Sequence, residues 1–523
     1  MLRYDDLPHR LNVASWFVDR NLEEGRGDRT ALIGGDGTVS YAELARLTNR
    51  VGNVLVELGA RRHQRVLLAL SDGVEFVTTW YAAQKIGAVT AEVYTYLQPK
   101  DYAYYLDYTE AEVVVADSVT LAGLREARVG SQYLRNLLVV GVPEDELEPG
   151  ERSFDRLVAS APDTLEPAPT TRDDVAIWKF TTGSTGAPKA CVHPTHSPVL
   201  SFEAYARGVL DISQDDLVLA VPKLFFGYAR DLAALYPFGV GGAGIVFPER
   251  TTPERIFDLV ARHRPTILVN VPTMMSAMVA HPGAVDRDLS CLRLCTSAGE
   301  ALPPGLHRKW DRTFGVEVAD GIGSSEAYHI YISNRPGQGR PGTVGQVVPG
   351  YAAQVVDETG DPVPDGQVGI LEVTGETVAH EYWGAPDKSA TTFEGDTVRT
   401  GDLFVRDADG FFSYRGRVDD LLKVGGIWVA PSEVEDCLIG HPDVLECAVV
   451  GHEHEGLVQP RAHVVVRAGA DLSAESLIEY ARSGLAPHKR PREVRFVDQL
   501  PRTANGKLDR QALRQLDRSE GGR

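Results

Sequence analysis

The chain has 523 residues, 43% of them hydrophobic, 8% aromatic and 24% charged, a composition that buries a large core and excludes a disordered protein. Its 53 Lys and Arg against 73 Asp and Glu give a formal charge of −20 with no basic run, which excludes a nucleic-acid backbone or an anionic membrane as the expected partner. At about 150 residues per domain, the length predicts two to four domains. The opening MLRYDDLPHRLN carries Asp5, Asp6 and a proline where a signal peptide needs an apolar core, and no run of about 18 apolar residues follows. A soluble cytoplasmic protein is expected. Five cysteines without CxxC spacing predict reduced thiols rather than disulfides or a zinc ribbon. Cys291 and Cys295 read as core packing, and His193 and His196 in HPTH lack partner ligands nearby.

In chain order, Ser40 to Glu43 forms a capping box that opens a helix through about Glu57, RVLLAL reads as a buried strand, and GVEFVTTWYAAQKIGAV as a second helix. The apolar runs EVVVA, AIWKF, DLVLAV, GIVF, TILVNV and LRLCTS continue the strand series, with TPERIFDLVARH as an amphipathic helix among them. This alternation predicts α/β layering. From about Gly342, GILEVTG and TVRTGDLFVRDADGFFSYRGR with their Asp-Gly turns predict antiparallel hairpins, hence a β-rich subdomain. Beyond Arg417 a small α+β unit is expected: helix PSEVEDCLIG capped by Ser432 and Glu435, strands LECAVVG and AHVVVR, helix AESLIEYARSG, strand EVRFV and a closing helix.

The strongest chemical signal is WKFTTGSTGAPKACVH, residues 178–193. Thr181, Thr182, Ser184 and Thr185 offer hydroxyls, Gly183 and Gly186 let backbone N–H groups approach an anion, and Lys189 adds a charge, together a phosphate cradle. It is not a Walker loop, because GxxxxGK[ST] is absent and ACVH reads as strand. A literal GxGxxG at Gly239, Gly241 and Gly244 lacks the preceding strand and following helix of a dinucleotide site, so close packing is the better reading. In VADGIGSSEAYHIYISN, Glu326 beside Ser324 and Ser325 suits a Mg2+ already chelated by phosphates, although SSE also caps helices. Asp402 follows a tight turn and matches ribose hydroxyls chemically. Arg417, Asp419 and Lys423 sit at the junction of the large and small parts, and Lys507 lies in a turn before the last helix.

TTGSTGAPK, GIGSSE, RTGD, GRVDDLLKVGG and PRTANGKLDR, in this order, resemble the adenylate-forming superfamily of acyl-CoA synthetases, adenylation domains and luciferases along nearly the whole chain. The resemblance implies an N-terminal domain over 1–418 and a C-terminal lid over 419–523 that swings about Asp419. A carboxylate would first attack the α-phosphate of Mg·ATP to give acyl adenylate and pyrophosphate, after which a thiol displaces AMP. It implies catalytic roles for Lys507, Glu326 and Lys423, with Glu326 holding Mg2+. Thr181 to Gly186 and Lys189 would hold the phosphates, with Ser325 adjoining the nucleotide. Asp402 and Arg417 would hold the ribose, while Ser297, Ala298, Gly299, Glu300, Ala301, Asp320 and Gly321 flank the adenine. Gly425 and Gly426 would leave room for a pantetheine arm. Ala190 replaces a common glycine past the cradle, with little expected loss.

KLFFGYARDLAALYPFGVGG and GIGSSEAYHIYISNRPG are most similar to benzoate-CoA and related aryl-CoA ligases, which implies an acyl pocket of Phe226, Gly227, Tyr228, Tyr328, His329 and Ile330. Tyr328 stands where those ligases tend to carry an aliphatic residue. Arg230 either reads a polar or acidic group on the acid or pairs with Asp231 or another carboxylate. The implied activity is an aryl-acid:CoA ligase using ATP, Mg2+ and coenzyme A, a monomer or homodimer. The alternative is an adenylating enzyme that loads a carrier protein or an amine.

Overall fold

The computed structural model describes residues 2–35, 37–181, 187–424, 427–454, 457–467, 469–502 and 508–520. Among the sequence expectations, Thr182, Gly183, Ser184, Thr185, Gly186, Gly425, Gly426 and Lys507 lie outside the described residues.

Two mostly parallel sheets carry the large unit. One runs, in spatial order, Glu151–Ser153, Asn136–Val140, Val113–Asp117, Arg65–Ala69, Val89–Glu92, Val175–Phe180 and Ala190–Pro194, the last pair antiparallel. The other has nine strands and places Val318–Gly323, Leu294–Ser297, Ile267–Asn270, Leu217–Ala220 and Ala243–Val246 at its centre. Strands buried on both faces read as continuous apolar runs, and the period of two then assigns alternate residues to different layers. Val66 and Leu68 enter the central core, whereas Leu67 and Ala69 face the outer one.

The central core joins both sheets through the helices Tyr41–Glu57, Val74–Lys85 and Gly227–Ala234, packed by Leu44, Val51, Phe76, Tyr81 and Leu232. Ser40 caps the first of these by accepting the Glu43 N–H at 3.2 Å, as expected. Outside the sheets lie Pro99–Thr109 on one side and Pro253–His263, Pro272–Ala280 and Pro304–Phe314 on the other, so helices cover every sheet face. No described helix is long and apolar enough to cross a membrane. The GxGxxG segment is a packed turn: a Cβ on Gly244 would lie 1.8 Å from the Ala233 carbonyl oxygen, which explains the glycine without a dinucleotide.

Tyr351–Val356, Val368–Gly375, Phe393–Glu394, Thr397–Arg406 and Phe412–Arg417 form the expected antiparallel sheet. The 3-10 turn Val418–Asp420 then leads to a short hairpin, Leu422–Val424 with Ile427–Val429, and to the final unit. There the strands Val444–His454, Leu457–Val466 and Glu493–Phe496 pack against Pro431–Ile439 and Ala474–Gly484 through Val434, Leu438, Val449, Val464 and Leu477. The expected capping box at Ser432 and Glu435 does not form. Ala430 occupies the cap position, Ser432 Oγ donates to the Arg415 carbonyl (3.0 Å), and Glu435 is drawn inward to accept from the Val449 N–H (2.7 Å) and from Arg510 (2.9 Å).

Candidate active site

In open α/β sheets the carboxyl ends of the strands leave room for ligands. Here a cavity of about 1700 Å³ opens at the ends of Val175–Phe180, Leu294–Ser297 and Val318–Gly323, and the antiparallel sheet and the final unit close its remaining sides.

Most of the residues singled out from the sequence meet in its wall. Thr181 and Lys189 flank the entrance of the hydroxyl-rich loop, and Ser325 and Glu326 face them. The Tyr382 hydroxyl donates to Glu326 Oε1 at 2.7 Å, and the Ser325 carbonyl lies 2.7 Å from His193 Nε2, so both motif residues are held from outside the motif. That contact, and the seat of His196 between the carbonyls of Arg172 (2.9 Å) and Glu376 (3.0 Å), gives both histidines structural partners. Ala298, Gly299, Glu300, Ala301 and Gly321 line a second stretch of wall. Ser297 and Asp320 lie buried behind it, and burial pushes the Asp320 carboxyl up to about 8, so it carries its proton at neutral pH. Asp402 accepts from Arg417 Nη1 at 3.2 Å across two paired strands, and both reach the cavity together with Asp419.

Phe226, Gly227, Tyr228, Tyr328, His329 and Ile330 form one aromatic-rich part of the wall. The Phe226 and Tyr228 rings stand 6.4 Å apart at 72°, and the Tyr228 hydroxyl is 2.7 Å from Thr296 Oγ1. His329 packs 5.7 Å from Tyr228 and 5.0 Å from Tyr236. Burial lowers its pKa to about 3, so the ring is neutral. Tyr328 adopts a left-handed φ of 74°, uncommon for a bulky residue. Its carbonyl accepts from Lys179 Nζ at 2.6 Å, which holds the turn.

Of the two readings open for Arg230, the structure shows the carboxylate pairing. Its side chain is 2% exposed and lies behind the wall, not in it. The guanidinium donates to Asp231 Oδ1 (2.8 and 2.9 Å) and to Glu92 Oε1 (2.7 Å), so it pairs with carboxylates and does not line the cavity. Lys423 is exposed on the short hairpin and also lies outside the cavity wall.

The sequence reading missed Lys179 and Glu92, which do line the cavity. Lys179 Nζ donates to Asp231 Oδ2 at 2.6 Å, and burial lowers its pKa to about 8 against the pull of Asp231. A lysine inside the apolar strand AIWKF was the available signal, because a buried charge must find a partner. Gly227 is constrained by this network: a Cβ there would sit 2.9 Å from Lys179 Nζ. Gly227→Ala is therefore expected to cost about 1–3 kcal/mol by overpacking. An unchanged urea midpoint would contradict the close fit.

The final unit reaches the same cavity. Arg502 donates to Thr273 Oγ1 (3.1 Å) and to Glu446 (2.9 Å), and the Thr273 hydroxyl donates to Glu300 (2.6 Å) in the wall loop. Arg502 and Leu508, on either side of the lysine-bearing segment, both line the cavity.

Residues 18–383 match the AMP-binding enzyme family and residues 433–507 match the AMP-binding enzyme C-terminal domain. The chain belongs to the AMP-binding enzymes. A benzoate–CoA ligase of Thauera aromatica is 40% identical over 97% of this chain and 96% of its own length. A 4-hydroxybenzoate–CoA/benzoate–CoA ligase of Rhodopseudomonas palustris is 38% identical over 97% and 94%. The crystal structure of the anthranilate CoA ligase AuaEII in complex with anthranoyl-AMP superposes with a TM-score of 0.96 at 36% identity, covering 100% of both chains.

Proposed function

We infer that the protein is an ATP-dependent, AMP-forming ligase that joins an aromatic carboxylic acid to coenzyme A in the cytoplasm. The observation that carries this reading is the single cavity in which the aromatic wall of Phe226, Tyr228 and His329 faces the 298–301 loop and the Asp402–Arg417 pair, with Arg502 and Leu508 on its far side. A flat ring suits walls of aromatic and small residues.

A carboxylate is a poor acyl donor, and joining it to the α-phosphate of ATP supplies AMP as a leaving group. Two anions must approach one another, so positive charge has to be positioned between them. Lys507 has that role in this reading, with Thr181 and Lys189 at the β- and γ-phosphates and Asp402 and Arg417 on the ribose. No cluster of three or more His, Cys, Asp or Glu among the described residues could hold a resident metal ion. Glu326, a hard oxygen donor in the cavity wall, instead fits a Mg2+ that arrives with the nucleotide. When bound, the ion would neutralise phosphate charge.

The second half-reaction needs a thiol where the first needed a lysine, so residues 419–523 act as a lid that turns about Asp419, with Gly425 and Gly426 beside the pantetheine arm. Proline fixes φ. Asp419→Pro is therefore expected to retain adenylate formation and to slow thioester formation by roughly 10²-fold, the cost of misplacing reacting groups by about an ångström. Retained full turnover would contradict the swing.

The reading is tested by AMP release from Mg·ATP with benzoate, hydroxy- and aminobenzoates, heteroaryl, cinnamic and aliphatic acids, each with and without CoA. AMP that requires CoA and accompanies an aryl-CoA mass is expected. Adenylate formed without CoA turnover would instead assign a carrier-protein or amine acceptor.

A further inference from the structure

We propose that Lys179 and Glu92 read a hydroxyl group on the aromatic ring of the acid, making a phenolic acid the preferred substrate. This rests on the aryl-acid ligase reading and deepens it.

The two residues come from neighbouring parallel strands, Val175–Phe180 and Val89–Glu92, and both line the cavity although their side chains are at most 5% exposed. An ammonium has three N–H donors. Lys179 commits one to Asp231 and one to the Tyr328 carbonyl, and its Nζ stands 3.5 Å from the Tyr328 ring centroid. The third donor is left to the ring face or to a ligand. Glu92 Oε1 accepts from Arg230 (2.7 Å) and from the Trp80 indole N–H, while its second oxygen accepts no hydrogen bond among the described residues. The wall thus offers one donor and one acceptor side by side.

Charge narrows what can use them. Lys179 and Arg230 are balanced by Asp231 and Glu92, so the network is neutral and has no counter-charge to spare for an ionised substituent. A second carboxylate would meet Glu92, and an ammonium would meet Lys179. A phenolic hydroxyl matches both groups, because it accepts from Lys179 and donates to Glu92. An aromatic amine donates but is a poor acceptor, and an unsubstituted ring adds no partner for the third Lys179 N–H or the second Glu92 oxygen.

The test compares kcat/KM for ortho-, meta- and para-hydroxybenzoate, the matching methoxy- and aminobenzoates and benzoate itself. One hydroxy isomer is expected to exceed benzoate by roughly 10²-fold or more, with its methoxy analogue, which cannot donate, well below it. In Glu92→Gln and Lys179→Met the hydroxy-to-benzoate ratio should fall at least about tenfold. A wild-type enzyme that uses benzoate or the methoxy acid as well as the best hydroxy acid would overturn the proposal, as would variants that lose both substrates in equal measure. If either variant fails to fold, the wild-type methoxy comparison still decides. Absence of AMP with every aryl acid would instead sink the ligase reading, so the two failures are distinct.

Discussion

Lys507→Ala is expected to lower adenylate formation by roughly 10²–10³-fold, the usual cost of removing one preorganised group that stabilises developing charge, and to leave thioester formation from supplied acyl adenylate close to wild type. The asymmetry follows from chemistry. Adenylation brings a carboxylate onto a phosphate and needs a cation between them, whereas a thiol attacking an acyl adenylate expels AMP without a second anion to be neutralised. The segment that carries Lys507 is bounded by Arg502 and Leu508, both in the cavity wall, and Arg502 is fastened to Thr273. Acid-dependent exchange of pyrophosphate into ATP reads the first half-reaction, and CoA thioester formation from synthetic adenylate reads the second. Equal loss in both would show that the lysine serves the fold or a common step, and the division of labour between two lid positions would fall with it.

The elements that sequence periodicity made legible are those whose burial is decided locally. RVLLAL, EVVVA, AIWKF and TILVNV are strands because layered sheets bury both of their faces, and TPERIFDLVARH is a helix because its apolar residues recur at helical spacing. The site was legible to the extent that its residues sit in ordered motifs, and Glu326, Asp402, Arg417 and the 298–301 loop do share one cavity. What stayed hidden depends on partners far along the chain. Glu92 lies 138 residues from Arg230, so no local pattern could show that Arg230 is consumed in a buried pair. Glu435 has the spacing of a capping box, but Arg510, 75 residues away, claims it. Lys179 was readable in principle as a charge inside an apolar strand, yet its meaning required knowing that Asp231 and Tyr328 lie opposite.

Asp231→Leu is expected to destabilise the large unit by roughly 3–5 kcal/mol, the cost of leaving buried charge unpaired. Asp231 is fully buried between Lys179 and Arg230, and although burial alone would lift its carboxyl, the two cations hold it below the usual range. Its loss leaves two desolvated cations facing the single carboxylate of Glu92. Urea unfolding followed through the transition of the large unit measures the effect, and a midpoint indistinguishable from wild type would mean that water reaches the network. Replacing all four charges together, as Glu92→Met, Lys179→Met, Arg230→Leu and Asp231→Leu, is expected to restore most of the loss, because apolar residues of similar volume commonly match or exceed a buried ion network. That variant should nonetheless handle hydroxy and unsubstituted acids alike. Stability regained without discrimination would mean that the network is kept for the substrate it selects, since an apolar wall would serve the fold equally well.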